Sequence, residues 1–233
     1  MNLSIKLSFL EHIYKVYEEF AHNLNVACKR SCDFCCTRNV TVTTLEGYKI
    51  IQYLTENHKS DLIEKIKAEY HKARFQPRIT TNHLAEICMQ GEDAPEEESL
   101  AEWGACPFLQ DNECPLYPAR PFGCRCFVSE QICMEQGEAV VNPFVITVNN
   151  LFLQYIEHID LQGYFGNLSD ILLFLESDSN LKDYRNGNLK EQQAGLLVNH
   201  PAKILMIPPE HRERIKPIMD NIQNPKGFTR FIH

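Results

Sequence analysis

The feature that most constrains this chain is a run of cysteines at residues 26–40, which read VACKRSCDFCCTRNV. Four cysteines fall within nine residues, at Cys28, Cys32, Cys35 and Cys36. Six more follow, at Cys88, Cys106, Cys114, Cys124, Cys126 and Cys133. Thiolate sulfur is a soft ligand for zinc, copper(I) and iron–sulfur clusters, and ligands two or three residues apart can turn toward one ion. The spacing therefore predicts a metal site.

Length and charge narrow the roles that these cysteines can have. A chain of 233 residues can bury a core without disulfide cross-links. No apolar run approaches the roughly 18 residues of a membrane span, and the N-terminal residues lack a cleavage site, so we expect a cytoplasmic protein without a membrane partner. A reducing compartment favours metal-binding or catalytic cysteines over five disulfides. The net charge of −8 argues against a nucleic acid partner.

A proline-rich segment carries the second group of thiols. Within residues 106–127, Pro107, Pro115, Pro118 and Pro121 exclude a continuous helix or a central strand. We therefore expect an ordered loop that folds onto the first group and completes a site from two distant segments. The candidate metal ligands are the nine clustered cysteines: Cys28, Cys32, Cys35, Cys36, Cys106, Cys114, Cys124, Cys126 and Cys133.

The residues around these cysteines fit metal-bound thiolates. Lys29, Arg30 and Arg38 flank the first group, whereas Arg120 and Arg125 flank the second. Cations lower the pKa of a thiol and offset the charge of a thiolate cluster. Five aromatic residues either shield the metal from water or belong to the ordinary core: Phe34, Phe108, Tyr117, Phe122 and Phe127.

The number of thiols leaves the kind of centre open. A zinc site or one four-iron cluster takes four cysteines, so nine suggest two centres, one multinuclear centre, or several thiols that bind no metal. Ligand softness allows zinc and iron equally. Cys88 shares an apolar helix face with Leu84 and Ile87, and we expect it to be a small buried residue.

Hydrophobic periodicity predicts helices on both sides of the cysteine region. Thr43 and Glu46 form a predicted capping box, Ser60 is expected to cap the next helix, and Asn167 a later one. The predicted helices cover residues 8–24, 43–54, 60–76, 84–89, 148–159 and 168–175, and short helical pieces interrupted at Pro217 and other prolines cover residues 194–222. Residues 39–43 are expected to be extended, and the acidic residues 92–102 to form a solvated connection.

The predicted fold class is therefore mainly α, with helices around an irregular, proline- and cysteine-rich metal-binding layer. We expect a single domain, residues 1–233, with a cysteine-cluster metal-binding region at 26–133 and a helical C-terminal region at 142–233. The nine histidines, His158, His200 and His211 among them, are scattered without ligand spacing.

Four sequence elements resemble the CxxCxxCC family of zinc- or iron-chelating cysteine-cluster proteins. They are CKRSCDFCC at residues 28–36, CPFL at 106–109, Cys114 followed by Leu116 and Tyr117, and RPFGCR at 120–125. The resemblance implies a metal-binding set of Cys28, Cys32, Cys35, Cys36, Cys106, Cys114 and Cys124. The spacing here is C-x3-C-x2-CC where the family has C-x2-C-x2-CC, and Cys126 and Cys133 are additional to the family pattern.

Three functions compete beyond simple chelation. Cys28, Cys32 and Cys35 also resemble the C-x3-C-x2-C motif of radical S-adenosylmethionine enzymes, although those enzymes continue with alternating strands and helices. Flagellin lysine methylases resemble the cysteine pattern as well, yet no glycine-rich nucleotide loop or catalytic constellation is evident. The third hypothesis is an interaction module, in which the metal stabilises the fold and the C-terminal helices bind a protein partner. We expect a metal-binding protein and leave an enzymatic activity open.

Overall fold

The computed structural model describes residues 1–29, 31–97, 104–190 and 193–224. About 52% of the chain is helical, which confirms the mainly α fold class. In the described residues the helices are α1 (Leu3–Ala21), α2 (Thr44–Glu56), α3 (Asp61–Glu69), α4 (Thr81–Gln90), α5 (Phe122–Arg125), α6 (Cys133–Gln136), α7 (Pro143–Ile159), α8 (Leu168–Glu176), α9 (Asp178–Asn186) and α10 (Arg212–Gln223). Short 3₁₀ turns occupy Tyr117–Ala119 and Pro209–His211.

The long helices begin where polar side chains cap them. The Asn2 side chain accepts a hydrogen bond from the Ile5 amide at 2.9 Å, so α1 begins at Leu3, five residues before its predicted start. The predicted capping box of Thr43 and Glu46 is confirmed at the start of α2. Asn167 caps α8 as predicted, whereas Ser60 makes no capping hydrogen bond with its side chain.

A small antiparallel sheet joins distant parts of the chain. Its strands are β1 (Thr41–Thr43), β2 (Tyr164–Asn167) and β3 (Leu197–Val198), in the order β1-β2-β3. Val42 pairs with Gly166, and Phe165 pairs with Leu197. The predicted extended piece is confirmed at β1, whereas no sequence pattern indicated β2, and helix was predicted where β3 lies.

Two groups of buried side chains form the core. The first lies between α1, α7 and α10 and includes Phe122, and the second lies between α2, α3 and α8 and includes Phe108 and Leu116. Since all three of these residues come from the proline-rich segment, that segment is anchored in both groups. The cysteines next to it are thereby held against the helical body.

No continuous helix runs through residues 106–127, as the prolines predicted, and only the 3₁₀ turn and the four residues of α5 are helical there. One expectation about proline is wrong. Pro217 lies inside α10 and does not end it, although proline lacks an amide hydrogen and so removes one helical hydrogen bond. The helix is held in place by its buried side chains, Ile215 and Ile222. Part of the acidic segment, residues 98–102, lies outside the described residues. No helix among the described residues is long and apolar enough to cross a membrane.

Candidate metal centre

The first cysteine segment follows α1 and is held by backbone hydrogen bonds. The Ala27 amide donates to the Ser129 carbonyl at 2.8 Å, and the Cys28 sulfur lies 4.0 Å from the Phe127 carbonyl oxygen. The Cys36 amide donates to the Asp33 carbonyl at 2.8 Å, which closes a turn around Phe34 and Cys35. The start of the first cysteine segment is therefore in contact with the end of the second.

A second connection joins the centres of the two segments. The Cys106 amide donates to the Cys36 carbonyl at 2.9 Å, and the Arg38 amide donates to the Gly104 carbonyl at 3.1 Å. Thr37 and Ala105 form an antiparallel bridge between these two hydrogen bonds. The two cysteine segments thus meet directly, as the sequence predicted.

The loop that follows Cys106 is ordered by a tight turn and by contacts with helices. Asp111 and Asn112 both have left-handed backbone angles, φ 48° and 61°, and the flanking Gln110 and Glu113 exchange two backbone hydrogen bonds of 2.8 and 3.0 Å. This is the geometry of a two-residue hairpin, which Asp and Asn tolerate. The Lys59 ammonium then donates to the Pro115 carbonyl at 3.2 Å.

A buried carboxylate that no sequence pattern linked to the site anchors the end of the loop. Oε1 of Glu46 accepts hydrogen bonds from the Phe122 amide and the Tyr14 hydroxyl, both at 2.7 Å, while Oε2 accepts from the Thr43 amide at 3.1 Å. Glu46 therefore connects α1, α2 and α5. The capping box indicated its contact with Thr43, but no local signal indicated the contact with Phe122.

Seven of the ten thiols are partly buried, and none is fully buried. Burial raises the pKa of Cys106 to about 11 and of Cys126 to about 12, and raises the pKa of Cys124 well above its usual range. A hydrogen bond with Cys36, followed by burial, raises the pKa of Cys35. Without a metal these thiols are therefore protonated at neutral pH.

The thiols influence one another in two overlapping sets. Besides burial, the neighbours that raise the pKa of Cys124 are the thiols of Cys106, Cys114, Cys126 and Cys35. Those that raise the pKa of Cys28, again after burial, are the thiols of Cys133, Cys32 and Cys35. Cys35 belongs to both sets. Cys36 is hydrogen-bonded to Cys35. We call the thiols that affect Cys124 the inner set and those that affect Cys28 the outer set.

The expectations for Cys88 and for the aromatic residues are only partly met. Cys88 is exposed on α4, so the prediction of a buried residue is wrong; the face of α4 that packs inward carries Asn82 and Ala85 instead. Phe108 and Phe122 belong to the buried core. The rings of Phe34, Tyr117 and Phe127 are exposed and do not shield the thiols fully from water.

The cations beside the thiols have different partners. Arg38 forms an ion pair with Glu69, and Arg125 forms one with Glu18 at 2.7 Å. The Arg120 guanidinium lies over the Tyr117 ring, 4.0 Å from its centroid, and its buried Nε has no hydrogen-bond partner within the described residues. Arg30 lies outside the described residues.

The donors fit a soft metal by their chemistry, but they are not arranged as a formed coordination sphere. Among the described residues, no group of three or more His, Cys, Asp or Glu side chains is placed so that it could hold a metal ion. Sulfur is nevertheless the donor that zinc and iron–sulfur clusters use, and nine thiols lie in or next to the two segments that the hydrogen bond between Cys36 and Cys106 joins. Metal binding therefore requires deprotonation and side-chain rotation of these thiols.

These features define a class of helical proteins with a cysteine-rich layer built from two segments. The profile of the CxxCxxCC family, described as "Putative zinc- or iron-chelating domain", matches residues 27–143 of the chain. The protein belongs to this family. No curated protein and no solved structure matches the chain.

Proposed function

We propose that this protein chelates zinc or iron through cysteine thiolates that come from both segments. The observation that carries the proposal is the hydrogen bond between the Cys36 carbonyl and the Cys106 amide, because it joins two cysteine groups that are far apart in sequence. The family assignment supports the same conclusion, since its domain is described as zinc- or iron-chelating.

The inner set supplies the first ligands in this proposal. Cys35, Cys106, Cys114 and Cys124 provide the four sulfurs that either a zinc ion or a four-iron cluster requires. Cys36 and Cys126 lie beside them, and the outer set of Cys28, Cys32 and Cys133 provides further thiolates for a second or multinuclear centre. All nine predicted ligands therefore keep a role.

The chain's own part in binding is to hold the thiols, exclude water and release protons. Burial of Phe108 and Phe122 fixes the loop on the helical body, and Glu46 holds the Phe122 backbone. Each thiol that binds metal loses its proton, so binding becomes stronger as the pH rises through the raised thiol pKa values. When bound, the metal supplies a cross-link between the two segments. We further propose a reducing, cytoplasmic compartment, in which these free thiols persist.

The test is anaerobic purification followed by elemental analysis and a visible spectrum. Stoichiometric zinc in a colourless protein excludes an iron–sulfur cluster, whereas brown protein with iron and acid-labile sulfide excludes a zinc-only site.

Cys124→Ala is expected to lose bound metal and to melt at a lower temperature, because metal binding contributes to folding. Cys88→Ala is the matched control, since Cys88 is an exposed thiol. Full metal content in Cys124→Ala, or metal-free wild type, contradicts the proposal.

The enzyme alternatives gain no specific support from the described residues. Radical S-adenosylmethionine enzymes use alternating strands and helices, whereas the sheet here has three short antiparallel strands. A protein-binding role of the C-terminal helices remains a prediction. Binding of a protein partner that depends on α10, and that survives removal of the metal, is the result expected for an interaction module.

A further inference from the structure

Arg120 has an unusual environment for a partly buried arginine. Its guanidinium is stacked over the Tyr117 ring at 4.0 Å, and its carbonyl accepts a hydrogen bond from Arg125 Nε at 2.8 Å. The buried Nε has no hydrogen-bond partner within the described residues. A buried donor without an acceptor costs free energy, so such a group points to a ligand or to another state of the site.

The neighbouring arginines do not share this feature. Arg125 donates to the Arg120 and Pro118 carbonyls and to Glu18. Arg38 is paired with Glu69. Both guanidinium groups therefore have carboxylate partners, and among the described arginines beside the thiols Arg120 is the one with a buried, unpartnered Nε.

Arg120 lies between two thiols of the inner set, Cys114 and Cys124. Tyr117, whose ring stacks on the guanidinium, donates its amide to the Cys114 carbonyl at 3.0 Å, and the Cys124 amide donates to the Pro121 carbonyl at 3.0 Å. The Arg120 charge is therefore held in the segment that carries these thiols. Four thiolates around a divalent ion, or around a four-iron cluster with two positive charges, leave two negative charges in a desolvated place. A nearby cation reduces that cost.

We propose that Arg120 is a positioning residue of the metal centre, which donates its Nε–H to a metal-bound thiolate sulfur of the inner set and balances part of the thiolate charge. This inference rests on the proposed function. Tyr117 holds the guanidinium plane, and the unpartnered Nε provides the donor. Hydrogen bonds to ligand atoms of this kind tune both affinity and the electronic properties of the metal.

The test is a titration of metal-depleted protein with Co²⁺, which reports bound thiolates by a sulfur-to-cobalt charge-transfer band whatever the natural metal is. Arg120→Gln is expected to weaken Co²⁺ binding by roughly tenfold or more, as loss of a hydrogen bond to a charged group predicts. The band should also move to lower energy, because an unbonded thiolate gives up its electron more readily. Arg120→Lys keeps the charge and should restore part of the affinity.

Arg214→Gln is the matched control. Its guanidinium lies 3.8 Å from the Phe144 ring centroid, so it also stacks on an aromatic ring, but it belongs to α10 and not to the thiol layer. This variant should bind Co²⁺ as the wild type does. Circular dichroism of the metal-free variants checks their fold.

The outcomes separate the two proposals. If the wild type binds no Co²⁺ through thiolates, the proposed function itself is wrong. If the wild type binds and Arg120→Gln matches it in affinity and band energy, the role of Arg120 is wrong. Should Arg120→Gln fail to fold, Tyr117→Ala decides, since that exposed ring can be removed with little effect on the core. It should weaken binding and shift the band in the same direction, and an unchanged titration overturns the inference.

Discussion

Asp160 is fully buried after α7, and its carboxylate connects α1, α2 and α9. It accepts hydrogen bonds from the Thr44 hydroxyl at 2.6 Å, the Tyr184 hydroxyl at 2.8 Å and the Leu45 amide at 2.9 Å. The Lys6 ammonium lies 3.2 Å away and is itself buried. Burial raises the pKa of Asp160, and Lys6 opposes that shift. The Asp160 carboxylate therefore depends on the Lys6 ammonium to stay ionised.

Replacing Lys6 with methionine should destabilise the protein by about 3 kcal/mol at neutral pH, because it leaves a buried charge without its partner. The loss should depend on pH. Removing Lys6 raises the folded-state pKa of Asp160 further above its unfolded value of about 4. The protonated Asp160 therefore contributes fully to the free energy of unfolding of the variant below about pH 4, and this contribution is lost as the pH rises through the folded-state pKa. Urea denaturation should show a larger difference between variant and wild type at pH 8 than at pH 5.

Lys49→Met provides the control for this experiment. Lys49 pairs with the exposed Glu11 at 3.3 Å, and surface pairs of this kind contribute less than about 1 kcal/mol. Its effect should be small at both pH values. A Lys6→Met deficit that is equal at pH 5 and pH 8 contradicts the assigned role of Asp160.

At the level of secondary structure, α2 and α8 pack closely at Gly47. A Cβ atom at this position would lie 2.4 Å from Ile171 Cγ2 and 3.1 Å from Leu175 Cδ1, and both side chains are fully buried. Alanine favours a helix by up to about 1 kcal/mol over glycine, but overpacking a core costs about 1–3 kcal/mol. The steric conflict therefore outweighs the helix preference of alanine, and a Cβ atom at Gly47 lowers the stability of the protein.

Gly47→Ala should thus destabilise the protein by about 1 kcal/mol in urea denaturation. Ile171→Ala removes the conflicting methyl group and leaves its own cavity. In the double variant the added methyl group partly fills that cavity, so the combined loss should be smaller than the sum of the single losses. Simple additivity would show that Gly47 is not in close contact with Ile171.

The longer helices were predictable because their signals are local. The apolar stripes of α1, α7 and α8 and the caps at Thr43 and Asn167 lie within one or two helical turns. The strands were harder to predict because their residues are extended by pairing with distant partners. All four residues of β2 are buried, so it lacks the alternation that marks a half-exposed strand.

The candidate site was predictable in composition but not in detail. Thiol spacing indicated which residues gather, and the structure brings the two segments into hydrogen-bonded contact. The exposure of Cys88, the anchoring by Glu46 and the unpartnered Nε of Arg120 depend on which faces the fold turns inward. No local pattern in the sequence encodes such long-range contacts.

On the scale of the whole molecule, the cysteine layer and the helical body differ in what holds them. The body has two groups of buried apolar side chains, whereas residues 104–140 contain only short helices and depend on a few anchors. If metal cross-links the layer, removing it should loosen the layer before the body.

Limited proteolysis with and without a chelator tests this difference. We expect chelation to lower the melting temperature and to speed cleavage within residues 104–140, while cleavage within α7 and α8 stays slow. In Cys124→Ala the chelator should cause no further change. Equal cleavage of residues 104–140 in both conditions would mean that metal does not order the layer.

The hydrogen bond between Cys36 and Cys106 also has a consequence for synthesis of the chain. Its two residues are 70 positions apart, so at about 5–20 residues per second the ribosome needs roughly 4–14 s to add the second after the first. During that interval the thiols of the first segment are without their partners in the second segment. On the proposed function, the nascent chain cannot complete its metal site until the proline-rich segment arrives, and oxidation of Cys35 and Cys36 in the meantime would remove two donors from that site.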